Sequence, residues 1–412
     1  MYDFIISVYA TLVCLAKTFN PKARLMLEGH KDIFRILNEK IDPNEQYVWI
    51  HAASLGEFEQ GRPIIERLKR DYPKYKILLT FFSPSGYEVR KDYPLADVVC
   101  YLPFDKQKNV LKFLKIVNPQ IAVFIKYEFW YNYLTELHHQ NIPTYIVSAI
   151  FRPSQLFFKW YGARSRRVLP FYSSICVQDE NSMNLLKQFD LTNVKVCGDT
   201  RFDRVVDICH QASDIRLVDE FVNAGARDEQ VTLIAGSSWA KDEDIFIPYF
   251  NRNKNLKLII APHEIHESHL TEIEGKLQRP AIRLSQADGK DLSMYDCLIV
   301  DCFGLLSSIY RYGQIAYIGG GFGVGIHNVL EAAVYGIPVI FGSNYQKFRE
   351  AVELIKAKGG FSIQDEHQFN QLVDSLLNNR DLLLSSGKNA SEFVNRNTKA
   401  VDKVMTELSK NL

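Results

Sequence analysis

The stretch "QYVWIHAASLGEFEQGRPIIERLKRDYPKYKILLTFFS", residues 46 to 83, alternates two kinds of segment. "QYVWIHAA" and "KILLTFFS" are short apolar runs rich in β-branched and aromatic residues, which are typical of buried strands. Between them, "GRPIIERLKRDYP" has apolar residues at helical spacing. Because neighbouring parallel strands need a crossover connection, usually a helix, this stretch predicts an α/β fold with a parallel sheet.

The same alternation continues on both sides of a break near residue 205. Further strand-like runs in the first half are "DVVCYL", "QIAVFI", "PTYIVSAI" and "SSICVQ". Residues 199 to 214, "DTRFDRVVDICHQASD", are charged and are predicted to have little order. The pattern then restarts with "VTLIAGSS", "LKLIIAP", "CLIVDC", "IAYIGG" and "IPVIFG". We therefore predict two doubly wound domains, 36–205 and 206–385, and a helical stretch from 366 to 411 whose last part, 386–412, folds back on the first domain.

The composition limits the class of protein. The chain has 412 residues, 47% hydrophobic and 24% charged, so it can bury two cores and is neither disordered nor fibrous. Its net charge of +1 gives no reason to expect nucleic-acid binding, and any anionic partner must be bound by a local patch. The seven cysteines form no Cys-x-x-Cys pair, which favours reduced, buried thiols in a cytosolic compartment.

The N-terminal segment, residues 1–35, combines an apolar run with a basic flank. The run from Phe4 to Ala16 is shorter than the roughly 20 residues that a membrane-spanning helix needs. Asp3 in front of it does not fit the positively charged start of a signal peptide. We expect a helix that lies in the membrane face, with the basic residues that follow it on anionic headgroups. An amphipathic helix packed on its own domain is the alternative.

Glu57 follows the first strand and stands near the start of the next helix. In an open parallel sheet, ligands bind outside the carboxyl ends of the strands. The helix dipole favours an ionised carboxylate at this position, which makes Glu57 a candidate general base. An ordinary acid at a helix start is the alternative, and spacing alone favours it.

Glu128 lies in the turn of "IAVFIKYEFWYNYL", a second stretch that is typical of strand, turn and helix. Lys126, Trp130 and Tyr131 stand beside it. Aromatic rings in this position stack on a sugar or pack in the core, and the sequence leaves both interpretations open.

The second half contains a glycine-rich stretch, "IAYIGGGFGVGIHNVLEAAVYGIPVIFGS", residues 315 to 343. A strand ends in glycines that include Gly320 and Gly321, and a helix is predicted near His327, where backbone N–H groups would face a phosphate. The spacing matches neither a Walker A loop nor G-x-G-x-x-G. Asn328 and Glu331 share one helical face, from which a carboxylate accepts hydrogen bonds from a ribose diol. The pattern suits a nucleotide-sugar site, although tight packing between strand and helix is an alternative explanation for several of the glycines.

Two other motifs resemble metal sites and are predicted to bind no metal. His263, His266 and His269 are spaced by three residues, whereas a His-Glu-x-x-His pair requires a spacing of four. Asp242 and Asp244 form an Asp-x-Asp, but they stand at the opening of a helix, where the dipole favours acids.

Six motifs together resemble a known family. "HAASLGE" at 51 to 57 is similar to the His-Ala-x-Ser-x-Gly-Glu signature of the bacterial 3-deoxy-D-manno-octulosonic acid (Kdo) transferases of glycosyltransferase family 30. The other five follow in the family's order at about its spacing: "YLPFD" at 101, "VQDE" at 177, "GDTRFDR" at 198, "AGSSW" at 235 and "HNVLEAAVYGIPVIFG" at 327. They span nearly the whole chain and are specific as a set.

The resemblance implies a GT-B fold, in which two Rossmann-like domains with parallel sheets face a central cleft that closes for catalysis. It implies an inverting transfer of Kdo from CMP-Kdo to a lipid A precursor (lipid IVA) in lipopolysaccharide core biosynthesis, on the cytoplasmic side of the inner membrane. The first domain would bind the acceptor and the second the donor, without a metal or other cofactor. Because a fold does not define a donor, a GT-B enzyme for another nucleotide sugar and a non-catalytic nucleotide or lipid binder are the alternatives.

The resemblance also assigns roles to residues. Glu57 matches the family's general base, and Glu128 and Arg201 match residues that stabilise the transition state. The expected CMP contacts are Pro262, His263, Phe303, Gly304, Leu305, Asn328, Val329, Leu330 and Glu331. The sequence departs from the family pattern at three positions: Lys126 replaces an acid, His263 an arginine and Leu305 a glutamate.

A basic and aromatic segment, residues 152–167, is the candidate surface for the lipid. "RPSQLFFKWYGARSRR" carries five basic residues and no acid, interleaved with Phe157, Phe158, Trp160 and Tyr161. Cations for phosphates and aromatic rings for the interface suit phosphorylated lipid headgroups. A solvated basic helix face is the alternative.

Overall fold

The computed structural model describes residues 2–225, 230–323 and 325–412 and divides the chain into two units. The first is Met1–Arg204 with Thr398–Leu412, and the second is Val205–Asn397. The observed division lies within one residue of the predicted boundary, and the N-terminal segment is part of the first unit. The predicted C-terminal segment began at residue 386, but residues 386–397 belong to the second unit, and only Thr398–Leu412 returns to the first.

The first unit is built on a seven-stranded parallel sheet, which confirms the predicted α/β fold. Its strands are β1 (Tyr47–Ala52), β2 (Lys76–Phe81), β3 (Val98–Tyr101), β4 (Ile121–Ile125), β5 (Thr144–Ala149), β6 (Ser174–Val177) and β7 (Val194–Val196). They lie in the order β3-β2-β1-β4-β5-β6-β7. The order reverses between β1 and β4, and such a switch point is where open parallel sheets bind ligands.

Helices cover both faces of this sheet. Trp49 of β1 packs in one core with Phe113 and Phe124, whereas its neighbours Val48 and Ile50 pack in the core on the other face. Burial of both faces explains why β1 reads as a continuous apolar run. The helices are α1 (Tyr2–Ala16), α2 (Pro21–Lys40), α3 (Leu55–Asp71), α4 (Pro84–Arg90), α5 (Gln107–Val117), α6 (Tyr131–His139), α7 (Ala163–Arg166), α8 (Glu180–Lys187) and α9 (Thr200–Gln211), the last of which leads into the second unit.

The second unit repeats this architecture with another seven-stranded parallel sheet. Its strands are β8 (Val231–Ser238), β9 (Leu256–Pro262), β10 (Ala281–Arg283), β11 (Cys297–Ile299), β12 (Ile315–Ile318), β13 (Val339–Gly342) and β14 (Gly360–Ile363), in the order β10-β11-β9-β8-β12-β13-β14. Its switch point therefore lies between β8 and β12. Its helices are α10 (Arg216–Asn223), α11 (Ala240–Arg252), α12 (Glu267–Lys276), α13 (Leu306–Ile309), α14 (Leu330–Ala333), α15 (Arg349–Lys356), α16 (Glu366–Asn378) and α17 (Arg380–Arg396).

The last helix, α18 (Ala400–Leu408), packs in the core of the first unit. Val404 and Leu408 are fully buried there. The carboxylate of Asp203 accepts the N–H groups of Lys399 and Ala400 at 2.7 and 3.0 Å, so it caps the start of this helix. Asp203 lies in the stretch 199–214, which was predicted to have little order and instead forms α9. Charged side chains of this stretch, such as Asp203, form hydrogen bonds of this kind, and Phe202 of the same stretch is buried.

The helix α1 has features of both interpretations of the N-terminal segment. It contacts its own unit, as a packed helix does, and it has an exposed face, as a membrane-bound helix does. The Tyr2 hydroxyl donates to the carboxylate of Asp105 at 2.7 Å, and the Asn132 amide donates to that of Asp3 at 2.7 Å, which fixes the first turn on the unit. No residue of α1 is buried, and Phe4 is 70% exposed. No described helix is long and apolar enough by itself to cross a bilayer, whereas α1 and α2 taken together, with a 119° bend between them, reach that length and apolar character.

The cysteines are only partly buried, contrary to the prediction for all of them. All seven are unpaired. Cys100, Cys176, Cys197 and Cys297 are buried, whereas Cys14 and Cys302 are exposed. Cys302 ends the run "CLIVDC", but β11 stops three residues earlier.

Candidate functional site

Glu57 and Glu128 lie at the switch point of the first sheet. Glu57 is in the first turn of α3, where the Ser54 hydroxyl donates a hydrogen bond to its carboxylate. Glu128 follows the end of β4 by three residues. Since β1 and β4 are paired neighbours, both carboxylates stand at the same carboxyl edge of the sheet.

His51, which sequence reasoning did not select, ties Glu128 to β1. Glu128 is 7% exposed, and its Oε2 lies 3.1 Å from His51 Nε2 and accepts a hydrogen bond from Trp130 Nε1 at 2.5 Å. The buried His51 ring also places Nδ1 2.9 Å from the hydroxyl of Thr80. Nδ1 also lies 3.1 Å from the Thr80 carbonyl oxygen, so the ring is fixed between Thr80 and Glu128. Two contacts on one oxygen hold the carboxylate in one orientation, and they give the indole nitrogen of Trp130 a structural role.

A left-handed backbone residue turns the chain toward this carboxylate. Lys126 has a φ of 72°, which is uncommon for a residue with a side chain. Its N–H bonds to the Val147 carbonyl at 2.9 Å, and the Tyr172 hydroxyl donates to the Glu128 carbonyl at 2.5 Å. The turn is therefore fixed from two sides. A lysine gives no signal for a left-handed position, so this feature could not be found from the sequence.

Arg201 is held by a buried aspartate that sequence reasoning missed. Its Nε and Nη2 donate to Asp199 Oδ2 at 3.0 and 2.7 Å. Burial alone would raise the pKa of Asp199, but the charge and hydrogen bonds of Arg201, with Lys126 nearby, outweigh it and hold that pKa below its usual range. The Thr200 hydroxyl donates to the Gln60 carbonyl of α3 at 2.5 Å, which fixes Arg201 relative to the helix that carries Glu57.

Tyr127 links the three predicted catalytic residues. Burial raises the pKa of Tyr127, and the carboxylate of Glu57 raises it further. Two cations lower this pKa: Arg152, whose Nη1 donates to the Tyr127 hydroxyl at 3.2 Å, and Arg201. Glu57 and Arg201 therefore lie within electrostatic range of the residue that precedes Glu128. A half-buried carboxylate and a guanidinium at one sheet edge can take a proton from a hydroxyl and stabilise a developing negative charge.

The basic and aromatic segment, residues 152–167, does not form a single solvated helix. It contains a 3₁₀ turn, Leu156–Phe158, and the four-residue α7. Phe157 is buried, and Arg166 donates to the Phe157 carbonyl at 2.6 Å, so both are structural. Trp160, which is 92% exposed, remains a candidate for lipid contact.

In the second unit, the predicted CMP contacts follow three strands of one sheet. Pro262 ends β9 and His263 comes next, Phe303–Leu305 follow β11, and residues 327–331 follow β12. The carboxyl ends of parallel strands meet at one edge, so these segments share that edge. Phe303 is 74% exposed, so its apolar ring lies in solvent at the sheet edge. Gly304, the next residue, has a φ of 90°.

Three rings stack at this edge, and two of them were not predicted. The ring centroids of Trp239 and His263 are 4.6 Å apart, and those of His263 and His327 are 4.4 Å apart. Trp239 Nε1 donates to His327 Nε2 at 3.2 Å, so that nitrogen carries no proton. Burial, together with the neighbouring charge of His263, lowers the pKa of His327 to about 4. His327 is therefore neutral at pH 7 and offers no positive charge to a phosphate.

The glycine-rich loop does not form the predicted phosphate cradle. The N–H of Gly320 donates to Asp242 Oδ2 at 2.9 Å, and those of Gly325 and His327 donate to backbone carbonyls at 3.1 Å. The helix α14 begins at Leu330 instead of near His327 and has only four residues. The described N–H groups of the loop are thus largely used within the protein.

Tight packing explains two glycines, Gly320 and Gly321, that were predicted to contact a phosphate. Gly320 has a φ of 91°, and an added Cβ would lie 2.3 Å from the Gly325 carbonyl oxygen. At Gly321 a Cβ would lie 2.5 Å from the Cα of Gly342. These glycines are required by close backbone contacts, as the alternative explanation predicted.

Asn328 and Glu331 share one face, as their spacing predicts. The Asn328 amide donates to Glu331 Oε1 at 2.9 Å. Val329 and Leu330, also predicted as CMP contacts, are fully buried, so only their backbone could reach a ligand.

The two metal-like motifs have structural partners. Asp242 lies in the first turn of α11, as predicted, and accepts the N–H of Trp239 at 3.0 Å. His269 Nε2 lies 3.1 Å from the buried carboxylate of Glu243. Within residues 2–225, 230–323 and 325–412, no group of three or more His, Cys, Asp or Glu side chains could hold a metal ion.

Two doubly wound parallel sheets, each with polar and aromatic side chains at its switch point, are the architecture of the GT-B fold. Solved structures with this fold include the UDP-GlcNAc 2-epimerase of Neisseria meningitidis, with a TM-score of 0.63 and 14% identity over 89% of this chain and 100% of that one. MurG of Acinetobacter baumannii has a TM-score of 0.56 and 12% identity over 88% and 99%. At these identities the likeness shows the fold alone.

The sequence comparisons point to one family of enzymes. Residues 29–204 match the family model of the 3-deoxy-D-manno-octulosonic-acid transferases (Kdo transferases). The Kdo transferase of Aquifex aeolicus is 28% identical over 80% of this chain and 86% of its own length. That of Rickettsia bellii is 26% identical over 93% and 94%. The chain is therefore similar to Kdo transferases over most of its length, and residues 29–204 of it match their family model.

Proposed function

We propose that the protein transfers Kdo from CMP-Kdo to a lipid A precursor with inversion of configuration. The observation that carries the proposal is the arrangement at the first switch point. There Glu57 and Arg201 both act electrostatically on Tyr127, and Glu128 is oriented by His51, in a chain of which residues 29–204 match the Kdo transferase family model. The first unit would bind the acceptor and the second the donor.

In this proposal Glu57 acts as the general base. Its carboxylate takes the proton from an acceptor hydroxyl while that oxygen attacks the anomeric carbon of Kdo. The bond between this carbon and the CMP phosphate breaks, and CMP leaves with the electron pair. The hydrogen bond from the Ser54 hydroxyl holds the Glu57 side chain in the first turn of α3.

Arg201 would stabilise the negative charge that develops on the departing phosphate. The buried carboxylate of Asp199 fixes the plane of the guanidinium, because two donors of Arg201 meet one oxygen of Asp199. Glu128, held by His51 and Trp130, would orient the sugar at the same edge. We propose that no metal takes part, so turnover should be unchanged in excess EDTA.

On the donor side, the proposal assigns CMP to the exposed groups at the sheet edge of the second unit. His263, Phe303 and the pair Asn328 and Glu331 present side chains there that are not buried. His327, being neutral and bonded to Trp239, would support the stack instead of binding the phosphate.

The proposal also places the protein on the cytoplasmic face of the inner membrane. The apolar side chains of Leu12 and Leu15 on α1 are 58% and 66% exposed. Leu12→Glu with Leu15→Glu should reduce co-sedimentation with anionic vesicles, because it removes apolar surface and adds repulsion. Leu384→Glu, which changes an exposed leucine on α17, is the matched control and should not. Unchanged binding by the double variant would refute α1 as the contact.

The transfer itself is tested by offering CMP-Kdo or UDP-sugars with a lipid A precursor and analysing the lipid product by mass spectrometry. The proposal requires a product heavier by one or more Kdo residues with CMP-Kdo alone. Product from a UDP-sugar would identify a GT-B enzyme for another donor. CMP binding without any product would favour a non-catalytic nucleotide binder.

A further inference from the structure

An apolar cavity of about 360 Å³ lies in the first unit beside the turn that carries Glu128. Its lining comes from three parts of the chain: α1, the residues after β4, and the basic and aromatic segment 152–167 with Val168 directly after it. The apolar and aromatic lining residues include Tyr2, Ile5, Phe129, Tyr131, Leu156 and Phe157. A volume of this size is within the range of small-molecule sites.

The rings that frame the cavity are fixed. Phe129 and Phe157 pack with centroids 4.6 Å apart, and Tyr2 and Tyr131 with centroids 5.3 Å apart. The Tyr2 hydroxyl is already bonded to Asp105 at 2.7 Å, so it is not a free partner for a polar ligand. The cavity therefore suits a hydrocarbon better than a sugar.

One cation lies at the edge of this apolar space. Arg164 lines the cavity and is exposed, and it forms no ion pair within the described part of the chain. Ser165 is next to it in the lining. The site thus combines an apolar interior with a positive charge at an exposed position, as an anionic lipid requires.

The cavity is continuous in sequence with the candidate active site. Glu128 and Trp130 bond to each other on one side of the turn, whereas the alternating residues Phe129 and Tyr131 line the cavity. A molecule with its hydrocarbon in the cavity would therefore have its polar part near Glu128.

We propose that this cavity binds one acyl chain of the acceptor lipid while Arg164 faces an acceptor phosphate. The inference rests on the proposed function, since it assigns the cavity to the acceptor of that reaction. It gives α1 a second role, because Ile5 of this helix forms part of the acyl site.

The test fills the cavity and compares two acceptors. Ser165→Trp places an indole in the lining, and Ala163→Trp, on an exposed and non-lining position of the same helix, is the matched control. Each methylene withheld from an apolar site costs about fourfold in affinity, so displacing only two should exceed a tenfold effect. We expect Ser165→Trp to raise the KM for the acylated lipid A precursor at least tenfold with kcat little changed. Neither variant should affect the same phosphorylated disaccharide without acyl chains.

A second pair of variants guards against a folding defect in the first. Ile5→Trp fills the cavity from α1, and Val8→Trp changes an exposed, non-lining residue of the same helix. The proposal is overturned if both filling variants leave the KM for the acylated acceptor unchanged. An equal rise in KM for the deacylated acceptor would also overturn it.

Direct binding separates this inference from the proposed function. The affinity of each variant for the acylated precursor is measured in detergent without CMP-Kdo. A wild-type protein that transfers no Kdo but binds the precursor, with Ser165→Trp weakening this binding tenfold, would refute the function and support the cavity. If filling instead abolishes binding to vesicles of phosphatidylglycerol and leaves precursor affinity intact, the site holds a bilayer lipid and the inference is wrong.

Discussion

Glu57→Gln is the sharpest test of the proposed chemistry, because it removes the ability to accept a proton and little else. The side chain is half-buried and bonds to the Ser54 hydroxyl, and the amide oxygen of glutamine can accept the same hydrogen bond. General-base catalysis contributes about 100-fold to 10,000-fold in rate. We expect the transfer rate of Glu57→Gln to fall by that range, which corresponds to about 3 to 5 kcal/mol in activation free energy.

The expected cost to stability is much smaller. A carboxylate in the first turn of a helix is worth about 0.3 to 1 kcal/mol through the helix dipole. For a unit of this size, that loss lowers the melting temperature by about 4 °C or less. Turnover and stability therefore change by amounts that are easily told apart.

The assay is a single-turnover measurement with saturating CMP-Kdo and a lipid A precursor, beside a thermal melt of the same sample. Glu59→Gln is the matched control, because Glu59 lies on the same helix and pairs with Arg90 at 3.0 Å near the surface. It should transfer at the wild-type rate. A Glu57→Gln variant that retains near wild-type turnover, or a Glu59→Gln variant that loses as much, would refute the assignment of the base.

Three further predictions concern the donor site, a buried acid and the glycine loop. Glu331→Ala should weaken CMP binding in calorimetry by about 1.5 to 3 kcal/mol, and the surface variant Glu353→Ala should not; equal affinities would exclude the ribose contact. Burial raises the pKa of Asp105 from 3.8 to about 6. Between these two pH values the folded state binds more protons than the unfolded state. The wild type therefore loses roughly 3 kcal/mol of stability as the pH rises through this range. Denaturant melts from pH 4 to 7.5 should show a flatter profile for Asp105→Asn, and parallel profiles would contradict the shift. Gly321→Ala should lower the free energy of unfolding by roughly 1 to 3 kcal/mol, because the added Cβ would lie 2.5 Å from the backbone of Gly342. Gly323→Ala, whose Cβ would meet nothing closer than 3.8 Å, should not lower it. Similar losses for both variants would refute the packing explanation.

The strands that were predicted from the sequence are those buried on both faces. β1 and β8 lie inside their sheets and read as long runs of apolar residues. β7, β10 and β14 were missed, and all three are short strands at sheet edges. A three-residue strand such as β7, with the exposed Lys195 at its centre, carries too few apolar positions for any periodicity.

The positions of the candidate acids were also predictable, because they depend on local order along the chain. Glu57 and Glu128 each follow a recognisable strand, and the rule for parallel sheets then places them at one edge. His51 was missed because its importance depends on a partner far along the chain, and Asp199 was missed because no sequence pattern reports that this acid is buried. His51 lies 77 positions from Glu128, and no local pattern reports that their side chains meet.

The glycine-rich loop shows why a motif alone did not define the donor site. Its glycines were compatible with a phosphate cradle and with tight packing, and both explanations require the same residue type. The structure separates them because it accounts for each N–H group: that of Gly320 is taken by Asp242, an acid that the sequence placed only as a helix-start residue. The loop is therefore shaped by a buried carboxylate of its own unit. In the proposed donor site, the groups left for a nucleotide are side chains at neighbouring strand ends, such as His263 and Glu331, and the specificity of that site would depend on their geometry.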